Sequence, residues 1–267
     1  MTIPTNHYET LLVTTPAEHV LQITLNRPES SNAFNTQMAR ELIDLIERLS
    51  LDPADNRCIL LTGTGERAFC AGGDLKERKG MTDQDWGKQH LIFERMVRAI
   101  INSPTPIIAV VNGAAYGGGC ELAGAADFAY AADNARFALT ETSLGIIPGA
   151  GGTQTLARAM GERRCKELIL SAKPFSAAEA LQWGLLNAIY PQPDLLPAAL
   201  VTAKRIAGNA PIAVRQAKQS IHRGLQMSLA NGLAFEIEAY NRTVPSQDRY
   251  EGVLAFNEKR KPKFKGC

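Results

Sequence analysis

NGAAYGGGCELAGAAD, residues 112 to 127, is the stretch on which the reading of this chain turns. Asn-Gly closes the apolar run PIIAVV (106 to 111), and three glycines (117 to 119) break regular structure. CELAGAA (120 to 126) then reads as a tightly packed helix of small residues. Between Ala99 and Ala126 the only charge is Glu121. Burying a carboxylate in such surroundings is costly, so its presence calls for a reason.

Outward from this stretch the chain reads as mixed β and α. VLQITLN (20 to 26) alternates as a half-buried strand, and MARELIDLIERL (38 to 49) carries apolar residues at helical spacing. RCILLTG (57 to 63) reads as a buried strand, and the Gly-rich loop GTGERAFCAGGD (63 to 74) leads into a polar-faced helix reaching about Ile101. DFAYAA (127 to 132) and RFALTE (136 to 141) are expected to be strands, followed by the Gly-Pro loop SLGIIPGAGG (143 to 152). Helical patterns dominate from Thr153, with Pro174, Pro211 and Pro245 near breaks. The expected organisation is an α/β core over 1–190 and a helical region over 191–267, with no internal repeat and no low-complexity linker.

Composition narrows the classes. With 267 residues, 45% hydrophobic and 21% charged, the chain has material for a substantial core. A net charge of +2 gives no reason to expect nucleic acid as a partner. No run approaches the roughly 18 apolar residues of a membrane span, so no membrane association is expected. MTIPTNHYET lacks the features of a secretory signal or a mitochondrial presequence. The five cysteines (58, 70, 120, 165 and 267) are widely spaced without a CxxC pair, which fits reduced thiols in a cytoplasmic protein. The four histidines show no metal-ligand spacing, so the chemistry is expected to need no metal.

The glycine clusters fail the phosphate-cradle tests. The third position of GxGxxG falls on Leu122 from one cluster and on Gln154 from the other, and neither GxxxxGK[ST] nor GxSxG occurs. Gly-rich turns also let backbone N–H groups approach a ligand closely. Two such groups converging on one oxygen form an oxyanion hole, worth about 3–4 kcal/mol per donor. Glu121 and Glu141 beside that point would position a water and exchange protons with carbon.

AFCAGGDLKE (68 to 77), NGAAYGGGCELAGAAD (112 to 127) and FALTETSLGIIPGAGGTQ (137 to 154) together resemble the signature segments of the crotonase, or enoyl-CoA hydratase/isomerase, superfamily. The resemblance extends from LNRPESSNAFN (25 to 35) to the tail (248 to 266). It implies a crotonase-like spiral of ββα units with a C-terminal α-helical trimerisation region, assembling as a homotrimer or a dimer of trimers. It also implies an acyl-CoA thioester substrate, with coenzyme A part of that substrate and no separate cofactor. By match to the motifs, the oxyanion donors are the amides of Gly73 and Gly118. The family often has Ala where Gly73 stands, which leaves the backbone donor intact.

The paired glutamates resemble those of the hydratases: Glu141 protonates the α-carbon, and Glu121 holds and deprotonates the water. A Δ3-Δ2 isomerase of this family typically works with the glutamate at the position of Glu141 alone, so Glu121 favours hydration. Dehydration, decarboxylation and a non-catalytic RNA-binding or scaffold role stand as alternatives. DLKERKGM (74 to 81), CKELILSA (165 to 172) and the tail look especially like methylglutaconyl-CoA hydratases, a branch known for RNA binding. The corresponding helix here, NAFNTQMARELIDLIERL, holds two arginines and no lysine, so no basic RNA-binding helix is evident.

Carried onto matching positions, the substrate-binding residues are Ala71, Gly72, Asp74, Leu75, Gly117, Pro148 and Gly149, with the Gly149 N–H orienting water or substrate. Plainer readings stand beside these. Asp74 reads first as a helix cap. Cys70 and Cys120 read as small packing residues, and Gly72, Gly117 and Gly119 as turn formers. Asp127 and Trp183 read as structural. Lys76 and the basic tail (Lys259, Arg260, Lys261, Lys263, Lys265) are either solvated surface or an attraction for CoA phosphates.

Overall fold

The computed structural model of the protein describes residues 8–53 and 55–267. The opening residues, on which the reading of signal sequences rested, lie mostly outside these. Two sheets form the frame. The larger runs β1-β2-β3-β5-β7-β10, from β1 (Leu11–Ala17), β2 (Val20–Leu25), β3 (Cys58–Gly63), β5 (Ile107–Val111), β7 (Phe128–Ala132) and β10 (Ala188–Tyr190). The smaller runs β4-β6-β8-β9, from β4 (Ala68–Cys70), β6 (Ala114–Tyr116), β8 (Arg136–Ala138) and β9 (Phe175–Ser176). Among the described residues only the β1/β2 and β8/β9 pairs are antiparallel.

Each winding of the chain lays one strand in the large sheet, turns, lays one in the small sheet, and returns through helix. β3 with β4, β5 with β6 and β7 with β8 are the successive pairs, giving the spiral of ββα units. The corner after β5 is fastened by Asn112: its Oδ1 accepts from Gly63 N (3.1 Å) and its Nδ2 donates to Gly63 O (2.9 Å). The Asn-Gly pair read as a strand terminator therefore also ties two neighbouring windings together.

The helices are α1 (Thr36–Leu51), α2 (Leu75–Arg78), α3 (Asp83–Asn102), α4 (Gly118–Ala125), α5 (Gly152–Met160), α6 (Glu162–Ser171), α7 (Ala177–Gln182), α8 (Gln192–Ala207), α9 (Pro211–Gly224), α10 (Leu229–Asn241) and α11 (Gln247–Asn257). The Asn35 side chain caps α1 by accepting from Met38 N. That helix buries Met38, Leu42, Leu45, Ile46 and Leu49, each worth about 1.5–3 kcal/mol of hydrophobic stabilisation. α8 buries Leu195, Ala199, Ala203 and Ala207 in the same core as the large sheet. α9 to α11 instead leave large apolar side chains in water, among them Ile221, Leu229, Leu233 and Phe256.

Three readings of the sequence need correction. The helix expected from Asp74 to Ile101 is two helices, because the chain leaves helical geometry at Lys79 and Gly80 takes φ +83°. The short strands β4, β6, β9 and β10 were not separated from their Gly-rich or helical surroundings; at two or three residues, none is long enough to show a period. RFALTE is a strand only through Ala138, after which Glu141–Leu144 forms a 3-10 turn.

α4 approaches β4 so closely that glycine is required at Gly119, where a Cβ would lie 1.9 Å from the Cys70 carbonyl oxygen. Gly119→Ala is therefore expected to cost upwards of about 3 kcal/mol in denaturant unfolding. Gly87→Ala, in an α3 turn with open space around the new methyl, should gain about 0.5–1 kcal/mol. Equal effects at the two positions would show that the α4–β4 contact yields easily.

Candidate active site

α4, the 3-10 turn at Glu141, the loop before α5 and the loop after β4 meet around one cavity of about 580 Å³. This is the size range of ligand-binding clefts. Glu121, Glu141, Gly73, Gly118, Ala71, Gly72, Leu75, Gly117 and Gly149 all line it.

Glu121 sits in the first turn of α4, where the helix dipole favours negative charge, and is 2% exposed. Its Oε1 accepts from the amides of Ala150 (2.9 Å) and Gly152 (2.7 Å). The PGAGG loop thus aims the carboxyl group, with Ala150 and Gly152 as the donors. Gly149 itself faces a ring: a Cβ there would stand 2.4 Å from His90 Cε1. Burial raises the Glu121 pKa to about 7; the two amides pull it down and the neighbouring Glu141 charge pushes it up.

Glu141 opens the 3-10 turn, whose end is set by Gly145 in left-handed geometry. Its pKa is also raised by burial. Its Oε2 is buried with no hydrogen-bond partner among the described residues. A buried carboxyl oxygen left unpaired is expensive, and such an atom in a residue that lines a cavity calls for an explanation. Gly117, at φ +52°, lets the chain pass beneath it: a Cβ there would lie 3.1 Å from Glu141 Oε1.

The two oxyanion candidates are set by different devices. Phe34 N donates to Gly72 O and Asp74 N donates to Phe34 O, both at 2.9 Å. In this parallel bridge the Gly73 amide points away from the Phe34 segment. Gly118 is the first residue of α4, where an amide has no partner within its own helix. The two loops pack backbone to backbone, so that a Cβ on Gly72 would stand 3.1 Å from Gly118 N.

Asp74 and Pro148, expected to touch substrate, are not among the cavity-lining residues. Asp74 instead caps α2, accepting from Lys76 N and Glu77 N, and pairs with Arg27 Nη2 at 2.9 Å. These partners hold its carboxyl below the usual range against the opposing effect of burial, the largest single influence. The tail folds onto α11, where Arg260 pairs with Glu251 and Glu258 and Asp248 accepts from Lys265 N and Gly266 N. Phe34, Arg78, Trp86, His90 and Phe93 line the cavity and were missed. The spacing of Trp86, His90 and Phe93 at i, i+4 and i+7 was a usable signal for one inward helix face. No cluster of three or more metal-ligating side chains occurs among the described residues. Nor is any helix there long and apolar enough to cross a membrane.

Two outcomes test this geometry. At Gly73 a methyl would meet Phe93 and Phe34 at ordinary distances of 3.6 and 3.7 Å, whereas at Gly118 it would stand 2.4 Å from Phe34 Cζ. Gly73→Ala should keep or raise stability by about 0.4–1 kcal/mol, and Gly118→Ala should lower it by about 1–3 kcal/mol. The second outcome concerns pH. Between the ordinary 4.5 and about 7, the folded protein keeps a proton on Glu121 that the unfolded chain has lost. Stability therefore falls as pH rises through that window, by a share on the order of 3 kcal/mol for Glu121. Glu141 acts in the same direction. Unfolding curves across the window should show wild type losing ground to Glu121→Gln as pH rises; parallel curves would refute the buried-carboxyl assignment.

The family model described as enoyl-CoA hydratase/isomerase matches residues 15–267. YngF of Bacillus subtilis is 45% identical over 258 residues, covering 97% of this chain and 99% of that protein. The short-chain-enoyl-CoA hydratase of Clostridium acetobutylicum is 40% identical, covering 91% and 92%. The crystal structure of an enoyl-CoA hydratase from Bacillus anthracis superposes with a TM-score of 0.95 at 42% identity, covering 97% of this chain and 100% of that one. With its two-sheet ββα spiral and its cavity built from the three signature segments, the chain belongs to the enoyl-CoA hydratase/isomerase family.

Proposed function

We propose that the protein is an enoyl-CoA hydratase that adds water reversibly across the 2,3 double bond of an α,β-unsaturated acyl-CoA. The observation that carries this reading is the pair of buried carboxyls in one cavity: Glu121 held by two loop amides, and Glu141 with an oxygen unpartnered. Two carboxyls whose pKa values are raised toward neutrality are suited to divide acid and base work.

In the proposed cycle the thioester carbonyl accepts from the Gly73 and Gly118 amides, which draws electron density away from the β-carbon. Ionised Glu121 takes a proton from water as its oxygen bonds to the β-carbon. Protonated Glu141 delivers its proton to the α-carbon as the enolate collapses. Glu121 is left protonated and Glu141 ionised, and proton exchange between the pair restores the starting state. These steps draw on water and the protein's own groups, with coenzyme A carried by the substrate.

The exposed apolar side chains of α9 to α11 support assembly as a trimer or a dimer of trimers, since faces of this kind are usually covered by a partner. The reading includes a cytoplasmic setting, in keeping with the unpaired cysteines read from the sequence.

Crotonyl-CoA turnover, followed by loss of the conjugated thioester absorbance, tests the proposal. Glu121→Gln and Glu141→Gln should each lower kcat by about 10²–10⁴ with a smaller effect on KM. If Glu121→Gln kept full activity while a 3-enoyl-CoA was converted to its 2-enoyl isomer, isomerisation would replace hydration as the reaction.

A further inference from the structure

Two of the helices that line the cavity run to one lysine. α3 contributes Trp86, His90 and Phe93 to the cavity, and α4 contributes Gly118 and Glu121. α3 ends at Asn102 and leads through Thr105 into β5, while α4 ends at Ala125 and leads through Asp127 into β7. Lys218 of α9 joins the two exits. Its Nζ donates to Asp127 Oδ2 at 2.7 Å and to the Thr105 carbonyl at 3.3 Å. Among the described residues this is the one ion pair between α9–α11 and the two-sheet core.

The pair is largely out of water, with the Lys218 side chain 11% exposed and that of Asp127 24%. Burial lowers the Lys218 pKa, and the adjoining Asp127 charge opposes that shift. Asp127 is held from a second direction as well. Its Oδ2 also accepts from Ile107 N (2.7 Å), and its own N–H donates to Ile107 O (3.0 Å). Removing the cation would leave a carboxylate that is mostly buried and unpaired.

α4 depends on such fastening because it has little else to fix it along its axis. Of its eight residues only Glu121 and Leu122 carry side chains longer than that of cysteine. The helix is about 12 Å long, so what holds one end sets the other. At its start Gly119 packs against the Cys70 carbonyl; two residues past its end stands Asp127. Glu121 must meet the amides of Ala150 and Gly152 at 2.9 and 2.7 Å, and the Gly118 amide must stand beside the Gly72 loop. A displacement of about 1 Å in such a site is enough to lose on the order of 10²-fold in rate.

We infer that Lys218 is a positioning residue for the reaction: through Asp127 it holds the exit of α4, and so the placement of Glu121 and of the Gly118 amide toward the opposite end of that helix. This rests on the hydratase reading for what those two groups do, and adds what keeps them in place. It makes α9 part of the support of the site, although no residue of α9 lines the cavity.

Turnover and amide hydrogen exchange together test it. Lys218→Met and Asp127→Asn remove the charge pair with little change in side-chain size, and the second keeps an oxygen for Ile107 N. Each should lower crotonyl-CoA kcat at least tenfold with KM changed less than threefold. The double variant should be no slower than the slower single, since the two residues act as one unit. Leu195→Ala, a truncation in the core face of α8, supplies a destabilised control that should keep kcat within about twofold. Exchange over residues 118–126 should speed up at least tenfold in Lys218→Met and Asp127→Asn and not in Leu195→Ala. Full kcat with unchanged exchange in Asp127→Asn would overturn the inference, as would an equal loss of kcat in Leu195→Ala. Loss of kcat with dissociation in sedimentation, and with exchange over 118–126 unchanged, would overturn it too and assign Lys218 to assembly. If Lys218→Met does not fold, Asp127→Asn carries the test alone. If wild type turned over no enoyl-CoA while the exchange effect persisted, the hydratase reading would fail and the hold of Lys218 on α4 would stand.

Discussion

Everything at the site depends on two backbone segments being able to touch. Gly72–Gly73 and Gly117–Gly118 lie on neighbouring windings of the spiral, and Gly119 packs against the Cys70 carbonyl with no room for a methyl group. Only a chain with three glycines at this point can bring the start of α4 against the loop after β4. The contact places the first amide of a helix beside a loop amide that a bridge to Phe34 has turned the other way.

The same close packing sets the electrostatics. Because α4 is built from small residues, it sinks into the protein and carries Glu121 out of water with it. The cost of that burial is partly offset by two N–H groups from the loop before α5, and the remainder appears as a carboxyl that titrates near neutrality. Glu141 receives no such support on its Oε2. One carboxyl is thus held by two loop amides and the other keeps an oxygen without a partner among the described residues, an asymmetry suited to different roles in one reaction.

Long, strongly patterned elements were legible in the sequence: β2, α1, β3, β5 and α4 all lie where periodicity and glycine turns placed them. The short strands of the second sheet were not, because two or three residues cannot display an alternation. The break between α2 and α3 was hidden for a related reason, since a single glycine inside a polar stretch is weak punctuation. Within the site, the signature segments pointed to Glu121, Glu141 and the glycine loops. Asp74, read first as a helix cap, does cap α2 and pairs in addition with Arg27, a partner that sequence spacing did not suggest.

By itself the sequence determined which residues have unusual requirements: glycines in series, a lone charge in an apolar run, and three motifs in one order. Those are local properties, written in residue type and spacing. Which groups face one another was decided only by the tertiary structure. Ala150 and Gly152 lie far along the chain from Glu121, Phe34 from Gly118, and Gln89 from Thr36. Such pairings arise because successive windings stack in register, bringing together loops that sequence separation alone does not relate. Arg78 is the clearest case: in the sequence it is one charge in a polar helix, and in the fold it is a cation stacked on aromatic rings at the cavity wall.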